Sequence, residues 1–136
     1  MALTHDELCQ IAYQFLKRNG FKVCFHDRFV AVTSTGEQPD AMGFRNFASC
    51  LIEAKCSRAD LLADRKKRFR IRPELGMGDW RFFISEPGII SVEDLPPGWG
   101  LLHVVNGKVR KVHGWPQGNC CWGSAEDKPF TGNKQD

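Results

Sequence analysis

A short apolar run that leads directly into charged residues is the feature that most constrains how this chain can fold. Residues 48–55 read Ala-Ser-Cys-Leu-Ile-Glu-Ala-Lys. An uninterrupted apolar centre of this length is typical of a strand that is buried on both faces of a sheet. Since side chains alternate along a strand, Glu53 and Lys55 lie on one face of it, with Ala54 between them on the other. The sequence therefore predicts a central strand over Ala48–Lys55 that ends in an acid and a lysine.

Two helices are predicted, one before and one after that strand in the chain. Thr4 and Glu7 form a capping-box pattern, and apolar residues at helical spacing follow them until an Asn-Gly stop signal, so the first helix covers residues 4–19. Ser57 is the expected N-cap of the second helix, which runs to about Arg70 before a proline prevents further extension. We expect these helices to cover a sheet built by the other segments.

Alternating or continuously apolar segments predict the strands of that sheet. Asn106 and Gly107 join the last two strands as a hairpin, since both residue types suit the positive φ angles of a tight turn. The expected strands cover residues 21–25, 28–33, 40–44, 48–55, 80–85, 101–105 and 108–112. We therefore expect an α/β fold in which a mixed central sheet is flanked by helices and ends in a C-terminal hairpin.

Length and composition predict one domain and exclude several classes of protein. With 136 residues, of which 42% are hydrophobic, the chain is long enough to bury a core. We assign residues 1–114 to the domain and expect residues 115–136 to form a loosely ordered tail. No leader pattern or apolar run of about 18 residues is present, so we expect no membrane contact. The six cysteines form no C-x-x-C pair, which favours reduced thiols in a cytoplasmic protein.

Asp40 and Glu53 form the candidate site. They are thirteen residues apart, a separation that two adjacent antiparallel strands joined by a loop can close. Two neighbouring carboxylates repel each other unless a cation lies between them, and hard oxygen ligands suit Mg²⁺ or Mn²⁺. The backbone carbonyl of Ala54 adds another oxygen, and Lys55 is placed to stabilise a phosphate under attack. The sequence therefore predicts a divalent metal site at the ends of these two strands.

These residues resemble the motif of a known family. Pro39-Asp40 followed by Glu53-Ala54-Lys55 is similar to the motif of the PD-(D/E)XK phosphodiesterase superfamily, the nuclease fold of many restriction endonucleases. The wider segments Glu-Gln-Pro-Asp-Ala-Met-Gly and Leu-Ile-Glu-Ala-Lys-Cys-Ser-Arg-Ala-Asp look like small stand-alone bacterial and phage members. The resemblance covers residues 4–105 and implies a restriction-endonuclease-like αβββαβ core.

The resemblance implies metal-dependent hydrolysis of phosphodiester bonds by in-line attack of a metal-activated water. The expected substrate is DNA, with RNA as the alternative, and the enzyme is an endo- or exonuclease. Asp40 and Glu53 are the implied metal ligands, Lys55 the catalytic lysine, and Mg²⁺ the cofactor, which Mn²⁺ can replace. Several members add an acid from the first helix, where Glu7 stands, although a capping role alone accounts for Glu7. Many members act as dimers, so a homodimer is a further partner to test.

The helix after the motif is the expected nucleic-acid surface. Its amino end follows Lys55 directly, and free backbone N–H groups there favour a phosphate. Basic side chains along the helix then track a nucleic-acid backbone in a salt-dependent, largely sequence-independent way, although such a charge run is also common on a solvated face. The net charge of +3 permits a polyanionic partner without requiring one. The expected contacts are Ser57, Arg58, Arg65, Lys66 and Arg68.

Each site residue also has a purely structural interpretation. An aspartate after a proline, as at Asp40, is common in a turn, and Glu53 and Lys55 can pair on the exposed face of an edge strand. The leading alternative function is a nuclease-fold module that binds nucleic acid or protein, as an inhibitor or accessory subunit, with little turnover. The intact set of two acids and a lysine favours the nuclease, because a pure binder need not retain it.

Overall fold

The structure is a computed structural model, and it describes residues 2–26, 40–45, 47–67, 70, 78–117, 122–123 and 127–130. The secondary-structure elements in chain order are α1 His5–Arg18, β1 Val23–His26, β2 Ala41–Arg45, β3 Ala48–Ala54, α2 Arg58–Asp64, β4 Trp80–Ser85, a 3₁₀ turn Val92–Asp94, β5 Gly100–Val105 and β6 Lys108–His113. The protein is therefore of the α/β class, as the sequence predicted. The strand expected over residues 28–33 lies outside the described residues.

One open, mixed sheet forms the centre of the molecule, and its strands lie side by side in sequence order from β1 to β6. β1 pairs with β2 and β2 with β3 in antiparallel fashion, β3, β4 and β5 are parallel, and β6 returns antiparallel to β5. β3 is thus an inner strand, and all of its residues are buried except Ser49, which is partly exposed. The prediction of a central strand that is buried on both faces is confirmed.

α1 covers one face of the sheet, which we call the α1 face. Its capping box is complete: Thr4 Oγ1 accepts a hydrogen bond from the Glu7 N–H at 3.1 Å, and Glu7 Oε1 accepts one from the Thr4 N–H at 2.8 Å. The helix ends at Arg18, with Asn19 as its C-cap, so the first predicted helix is confirmed. The apolar cluster on this face includes Leu8, Phe15, Leu16, Cys50, Ile52, Phe82 and Ile84.

α2 and the segment after β4 cover the opposite face, which we call the α2 face. Leu61 of α2 packs there with Leu51 of β3 and Phe83 of β4. The apolar cluster on this face is smaller than the first and comprises Met42, Leu51, Leu61, Phe83, Ile90, Trp99 and Leu101. Among the described elements, α1 therefore covers one face of the sheet and α2 packs on the other, as expected.

α2 is shorter than the sequence predicted. It spans Arg58–Asp64, and residues 65–67 form a turn, so the expectation of a helix that runs to about Arg70 is wrong. A continuous helix would carry Arg70 about 9 Å along the axis from Asp64 and onto another face. Arg70 Nε instead lies 2.7 Å from Asp64 Oδ2, a contact that requires the chain to turn back. None of the described helices has the length and apolarity needed to cross a membrane.

The C-terminal hairpin is confirmed. Asn106 and Gly107 join β5 to β6 with φ angles of 52° and 76°, and positive φ at both positions is the geometry of the tight hairpin turns that suit a twisted sheet. Gly100 begins β5 where a Cβ atom would lie 2.3 Å from the Phe82 side chain. Only glycine fits this close approach of β5 to β4.

The described residues of the C-terminal segment contact the core. Trp115 packs against Phe15 and Phe82, with ring centroids 4.9 and 5.1 Å apart. Trp122 is 3% exposed and packs against Phe21 and against Trp115. These aromatic rings thus extend the apolar cluster of the α1 face. The division of the chain into a domain and a tail stays a prediction.

Four cysteines lie among the described residues. Cys9 and Cys50 are buried, and Cys24 and Cys56 are partly exposed. Cys120 and Cys121 lie outside the described residues, and the expectation of reduced cysteines stays a prediction.

Candidate active site

The pairing of β2 with β3 brings Asp40 next to Glu53. Ala41 lies opposite Ile52 in the antiparallel register, so Asp40, one residue before β2, lies opposite Glu53. The Asp40 N–H donates to Glu53 Oε2 at 3.1 Å, and the Ala54 N–H donates to Asp40 Oδ2 at 2.9 Å. These two hydrogen bonds hold both carboxyl groups at the edge of the sheet where β3 ends.

Glu53 is buried, and both oxygens of its carboxyl group have partners. The residue is 3% exposed, and Oε1 lies 3.0 Å from Arg70 Nη2 while Oε2 accepts the Asp40 N–H. Burial, and after it the negative charge of Asp40, raises the pKa of Glu53 to about 8, against the opposing charges of Arg70 and Lys55. Glu53 therefore holds its proton to a higher pH than an exposed glutamate does, and a bound cation would favour release of that proton.

A buried set of charged groups joins Lys55 to Glu53 through two residues that the motif does not contain. Lys55 Nζ lies 3.0 Å from Asp64 Oδ1, and Arg70 Nε lies 2.7 Å from Asp64 Oδ2. Burial acts to raise the pKa of Asp64, but the charges of Arg70 and Lys55 and their hydrogen bonds outweigh it and lower this pKa. We call the chain Lys55–Asp64–Arg70–Glu53 the buried charge network.

Arg70 also has an aromatic partner. Its guanidinium carbon lies 4.5 Å from the ring centroid of Trp99, which stacks in turn on Phe83 with centroids 4.4 Å apart. A cation over the face of an indole gains electrostatic attraction, and more of it when water is excluded. Arg70 is therefore held from two sides, by carboxylates and by an aromatic face.

The amino end of α2 is organised as expected, but the helix is short. Ser57 Oγ accepts a hydrogen bond from the Asp60 N–H at 3.2 Å, which confirms Ser57 as the N-cap. Because α2 has only seven residues, few peptide dipoles are aligned, and the expected phosphate site at this end loses much of its physical basis. Lys66 is exposed, whereas Arg68 lies outside the described residues.

Two of the expected nucleic-acid contacts are engaged by a carboxylate. Arg58 Nη1 lies 2.5 Å from Asp94 Oδ2, and Arg65 Nη2 lies 3.6 Å from Asp94 Oδ1. The hydrogen bond from Arg58, followed by one from the Ser91 backbone, lowers the pKa of Asp94 to about 2. Asp94 therefore stays ionised and partly neutralises the basic surface that the sequence suggested.

α1 lies beside the site and brings to it two residues that the sequence did not single out, His5 and Cys9. Glu7 Oε1 accepts the capping hydrogen bond from Thr4, and a metal-binding role for Glu7 stays a prediction. His5 Nε2 lies 3.2 Å from Asp40 Oδ1, and Cys9 Sγ lies 3.6 Å from His5 Nδ1. One potential ligand atom from each of His5, Cys9 and Asp40 lies within 4.8 Å of the other two.

Sequence reasoning missed His5, Cys9, Asp64 and Arg70. His5 and Cys9 occupy positions i and i+4 of α1, which places both on one face of the helix, and this spacing was a usable signal. Asp64 and Arg70 belong to a charge-rich segment that looks like a solvated helix surface, so no local pattern distinguishes them. Their role is visible only in the structure, where the turn after α2 brings Arg70 back to Asp64 and both side chains are buried.

The oxygen donors at this edge fit a hard divalent cation. Each carboxylate oxygen carries two lone pairs, so one hydrogen bond leaves a further acceptor position. The Asp40 side chain is 19% exposed, which gives access from solvent, whereas that of Glu53 is 4% exposed. An acid whose pKa is raised by burial and by a second carboxylate marks a place where a cation is favoured. Asp40, Glu53 and the Ala54 carbonyl are the oxygen donors at this edge that could hold such a cation, and Mg²⁺ or Mn²⁺ as its occupant stays a prediction.

No protein-family model, curated protein or solved structure matches this chain. The functional interpretation therefore depends on the geometry around Asp40, Glu53 and Lys55.

Proposed function

We propose that this protein is a metal-dependent nuclease that hydrolyses phosphodiester bonds, with DNA as its substrate and a restriction-endonuclease-like fold. The observation that carries the proposal is the placement of Asp40 opposite Glu53, at the ends of two paired strands, with Lys55 directly after β3. The order of the described elements from α1 to β4 agrees with the αβββαβ order of the PD-(D/E)XK superfamily, which the chain resembles.

The residues at this edge have separable roles. Asp40, Glu53 and the Ala54 carbonyl would hold the ion, and Mg²⁺ or Mn²⁺ would supply charge neutralisation of the two acids and activation of water for in-line attack. The Ala54 N–H donates to Oδ2 of Asp40 and so holds the whole carboxylate in a defined orientation. Lys55 supplies a positive charge that stabilises the charge developing on the phosphate. Asp64 positions that charge through its 3.0 Å contact with Lys55 Nζ.

A second candidate function is a nuclease-fold module that binds nucleic acid or protein without turnover. The observation that favours it is the burial of Glu53 and Lys55, which are 3% and 6% exposed and have their charged groups engaged by Arg70 and Asp64. A catalytic site needs these groups to face the substrate, whereas a binding module does not. The two candidates make opposite predictions for metal-dependent cleavage.

The decisive experiment incubates the protein with supercoiled plasmid, linear duplex DNA and RNA, each with Mg²⁺, Mn²⁺ or EDTA. We expect cleavage of DNA in both metals and none in EDTA. Asp40→Asn is the best variant, because the amide oxygen can still accept the Ala54 N–H, and it should lower the cleavage rate at least about 100-fold. Asp40 is also only partly buried, so this variant should remain folded.

Matched controls separate catalysis from general charge effects. Glu93→Gln removes one exposed acid and Lys108→Met one exposed lysine, and neither should alter cleavage, whereas Lys55→Met should abolish it. Circular dichroism identifies any variant that loses its fold. Binding of DNA without cleavage in any metal would favour the second candidate, and equal rates for wild type and folded Asp40→Asn would exclude this site as the catalytic one.

A further inference from the structure

The amino-terminal turn of α1 presents a nitrogen and a sulfur to the free side of Asp40. His5 and Cys9 are one helical turn apart, so both side chains lie on the same face of α1, which meets Asp40 just before the start of β2. His5 Nε2 is 3.2 Å from Asp40 Oδ1, and it is 3.9 Å from Cys9 Sγ. The three groups come from two elements that are distant in sequence, and they converge at one point.

We propose that His5, Cys9 and Asp40 form a binding site for a borderline-soft divalent transition metal ion, with Zn²⁺ as its natural occupant. The proposal goes beyond the nuclease function and does not rest on it. An imidazole, a thiolate and a carboxylate together are a typical zinc ligand set, whereas Mg²⁺ requires oxygen ligands in an octahedral arrangement.

The spacing of the three groups suits tetrahedral coordination. Zinc bonds of about 2.0 Å to nitrogen or oxygen and about 2.3 Å to sulfur place neighbouring ligand atoms of this set about 3.3 to 3.5 Å apart. The separations of 3.2 and 3.9 Å from His5 Nε2 bracket this range, and all three ligand atoms lie within 4.8 Å of one another. The two separations measured from His5 Nε2 each differ from the tetrahedral spacing by less than about 0.5 Å.

The surroundings of the three groups give the site orientation and access. Asp40 Oδ2 accepts the Ala54 N–H, which leaves Oδ1 directed at His5 and fixes the carboxylate as a ligand. Cys9 is fully buried, while the His5 side chain is 45% exposed, so an ion enters from the His5 side. Three protein ligands leave one tetrahedral position for water or for another ligand.

Asp40 consequently belongs to two donor sets. One oxygen faces the nitrogen and sulfur donors of α1, and the backbone of Asp40 hydrogen-bonds Glu53 on the other side. Asp40 would therefore bind a soft ion such as Zn²⁺ together with the nitrogen of His5 and the sulfur of Cys9. It would bind a hard ion such as Mg²⁺ together with the oxygens of Glu53. Glu53→Gln should leave zinc affinity within about twofold of wild type, since Glu53 is not a ligand of the proposed site.

The test uses the full chain, purified without metal, and does not depend on nuclease activity. Zn²⁺ is titrated against a chromogenic chelator, and Co²⁺ is added as a spectroscopic substitute. We expect one Zn²⁺ per chain, together with a Co²⁺ spectrum that has an intense near-ultraviolet sulfur-to-metal charge-transfer band and visible bands of tetrahedral strength.

Two variants and two controls assign the ligands. His5→Ala, at an exposed position, should weaken zinc binding at least about tenfold, because even partners outside the ligand shell typically matter by that factor. Cys9→Ser should remove the charge-transfer band. Cys24→Ser, whose thiol donates to the Phe21 carbonyl, and a Cys120→Ser/Cys121→Ser double variant should bind as wild type does.

Three results would overturn the proposal. The first is the absence of stoichiometric zinc binding at micromolar protein, which is expected if His5 and Asp40 form a plain ion pair beside a core cysteine. The second is a charge-transfer band that persists in folded Cys9→Ser. The third is loss of the band in the Cys120→Ser/Cys121→Ser variant alone, which would place the metal elsewhere in the chain.

Discussion

The two faces of the sheet are built from the same strands but in different ways. On the α1 face, β3 contributes Cys50 and Ile52 to a broad apolar cluster that the aromatic residues of the C-terminal segment extend. On the α2 face, the same strand contributes Leu51 and then Glu53, and the apolar cluster gives way to the buried charge network. Because side chains alternate along a strand, neighbouring residues of β3 lie in these two different environments.

This difference separates the part of the molecule that stabilises it from the part that can do chemistry. Apolar packing is non-directional, and the loss of one side chain leaves a cavity whose cost depends on its size. Buried charges must be matched one by one, because removing a partner leaves an uncompensated charge in a low dielectric. The buried charge network of the α2 face should therefore respond to charge and pH more strongly than the apolar cluster of the α1 face.

The largest expected effect follows from removal of Asp64, which pairs with both Lys55 and Arg70. Asp64→Ala leaves two buried cations without their shared carboxylate and should lower the free energy of unfolding by about 3 to 5 kcal/mol. Urea denaturation measures the change. Asp60→Ala, on the exposed surface of the same helix, is the matched control and should cost less than about 1 kcal/mol. Equal effects at the two positions would show that the network adds nothing to stability.

The pH dependence of stability sharpens the same contrast. The pKa of Glu53 is about 8 in the folded protein, above its ordinary value of 4.5, so the folded chain keeps a proton that the unfolded chain has released. Stability should therefore be greatest at low pH with respect to this group, and it should fall between pH 4.5 and 8 with a slope approaching about 1.4 kcal/mol per pH unit. Urea denaturation at several pH values, in EDTA, measures the slope.

Two variants show whether Glu53 causes that slope. Glu53→Gln should remove it, because glutamine does not titrate. Leu16→Ala on the α1 face should lower stability by about 2 to 5 kcal/mol by the same amount at every pH, since Leu16 is fully buried among apolar groups. If the wild-type and Glu53→Gln profiles run parallel, the assignment of the raised pKa to Glu53 is wrong.

The smallest expected effect concerns Asp94, at the exposed margin of the α2 face. Asp94→Ala releases Arg58 and Arg65, so DNA should bind more tightly, and the slope of log affinity against log salt should steepen by about 1 to 2. Fluorescence anisotropy at several salt concentrations measures both quantities. Glu93→Ala removes one negative charge from the adjacent position, and an identical increase in that control would show that net charge alone is responsible.

Local signals in the sequence were sufficient for most of the fold. The apolar run before Glu53, the capping box of Thr4 and Glu7, and the Asn106-Gly107 turn each correspond to the element that they predicted. Their information is local, because a cap, a turn or a buried strand depends on neighbours within a few residues. The end of α2 was not predictable in this way, since it depends on a contact between Asp64 and Arg70.

The site was predictable only in part, for a related reason. Spacing along two strands was enough to place Asp40 beside Glu53, as their hydrogen bond now describes. Asp64 and Arg70, the buried partners of Lys55 and Glu53, could not be deduced. Charged residues that pair inside the protein have the same local sequence pattern as charged residues exposed to water. His5 reaches Asp40 from a helix thirty-five residues away, and only the packing of α1 on the sheet reveals that contact.

The stacking of Arg70 on Trp99 has an optical consequence. Indole emission responds to a charge held close to the ring, and Trp99 is the tryptophan that packs on the α2 face, whereas Trp80, Trp115 and Trp122 gather against the other face. Any ion or substrate that draws Arg70 away from Glu53 also moves a cation off this fluorophore. The fluorescence of Trp99 should therefore change when Arg70 moves away from Glu53, which makes this tryptophan an intrinsic probe of the buried charge network.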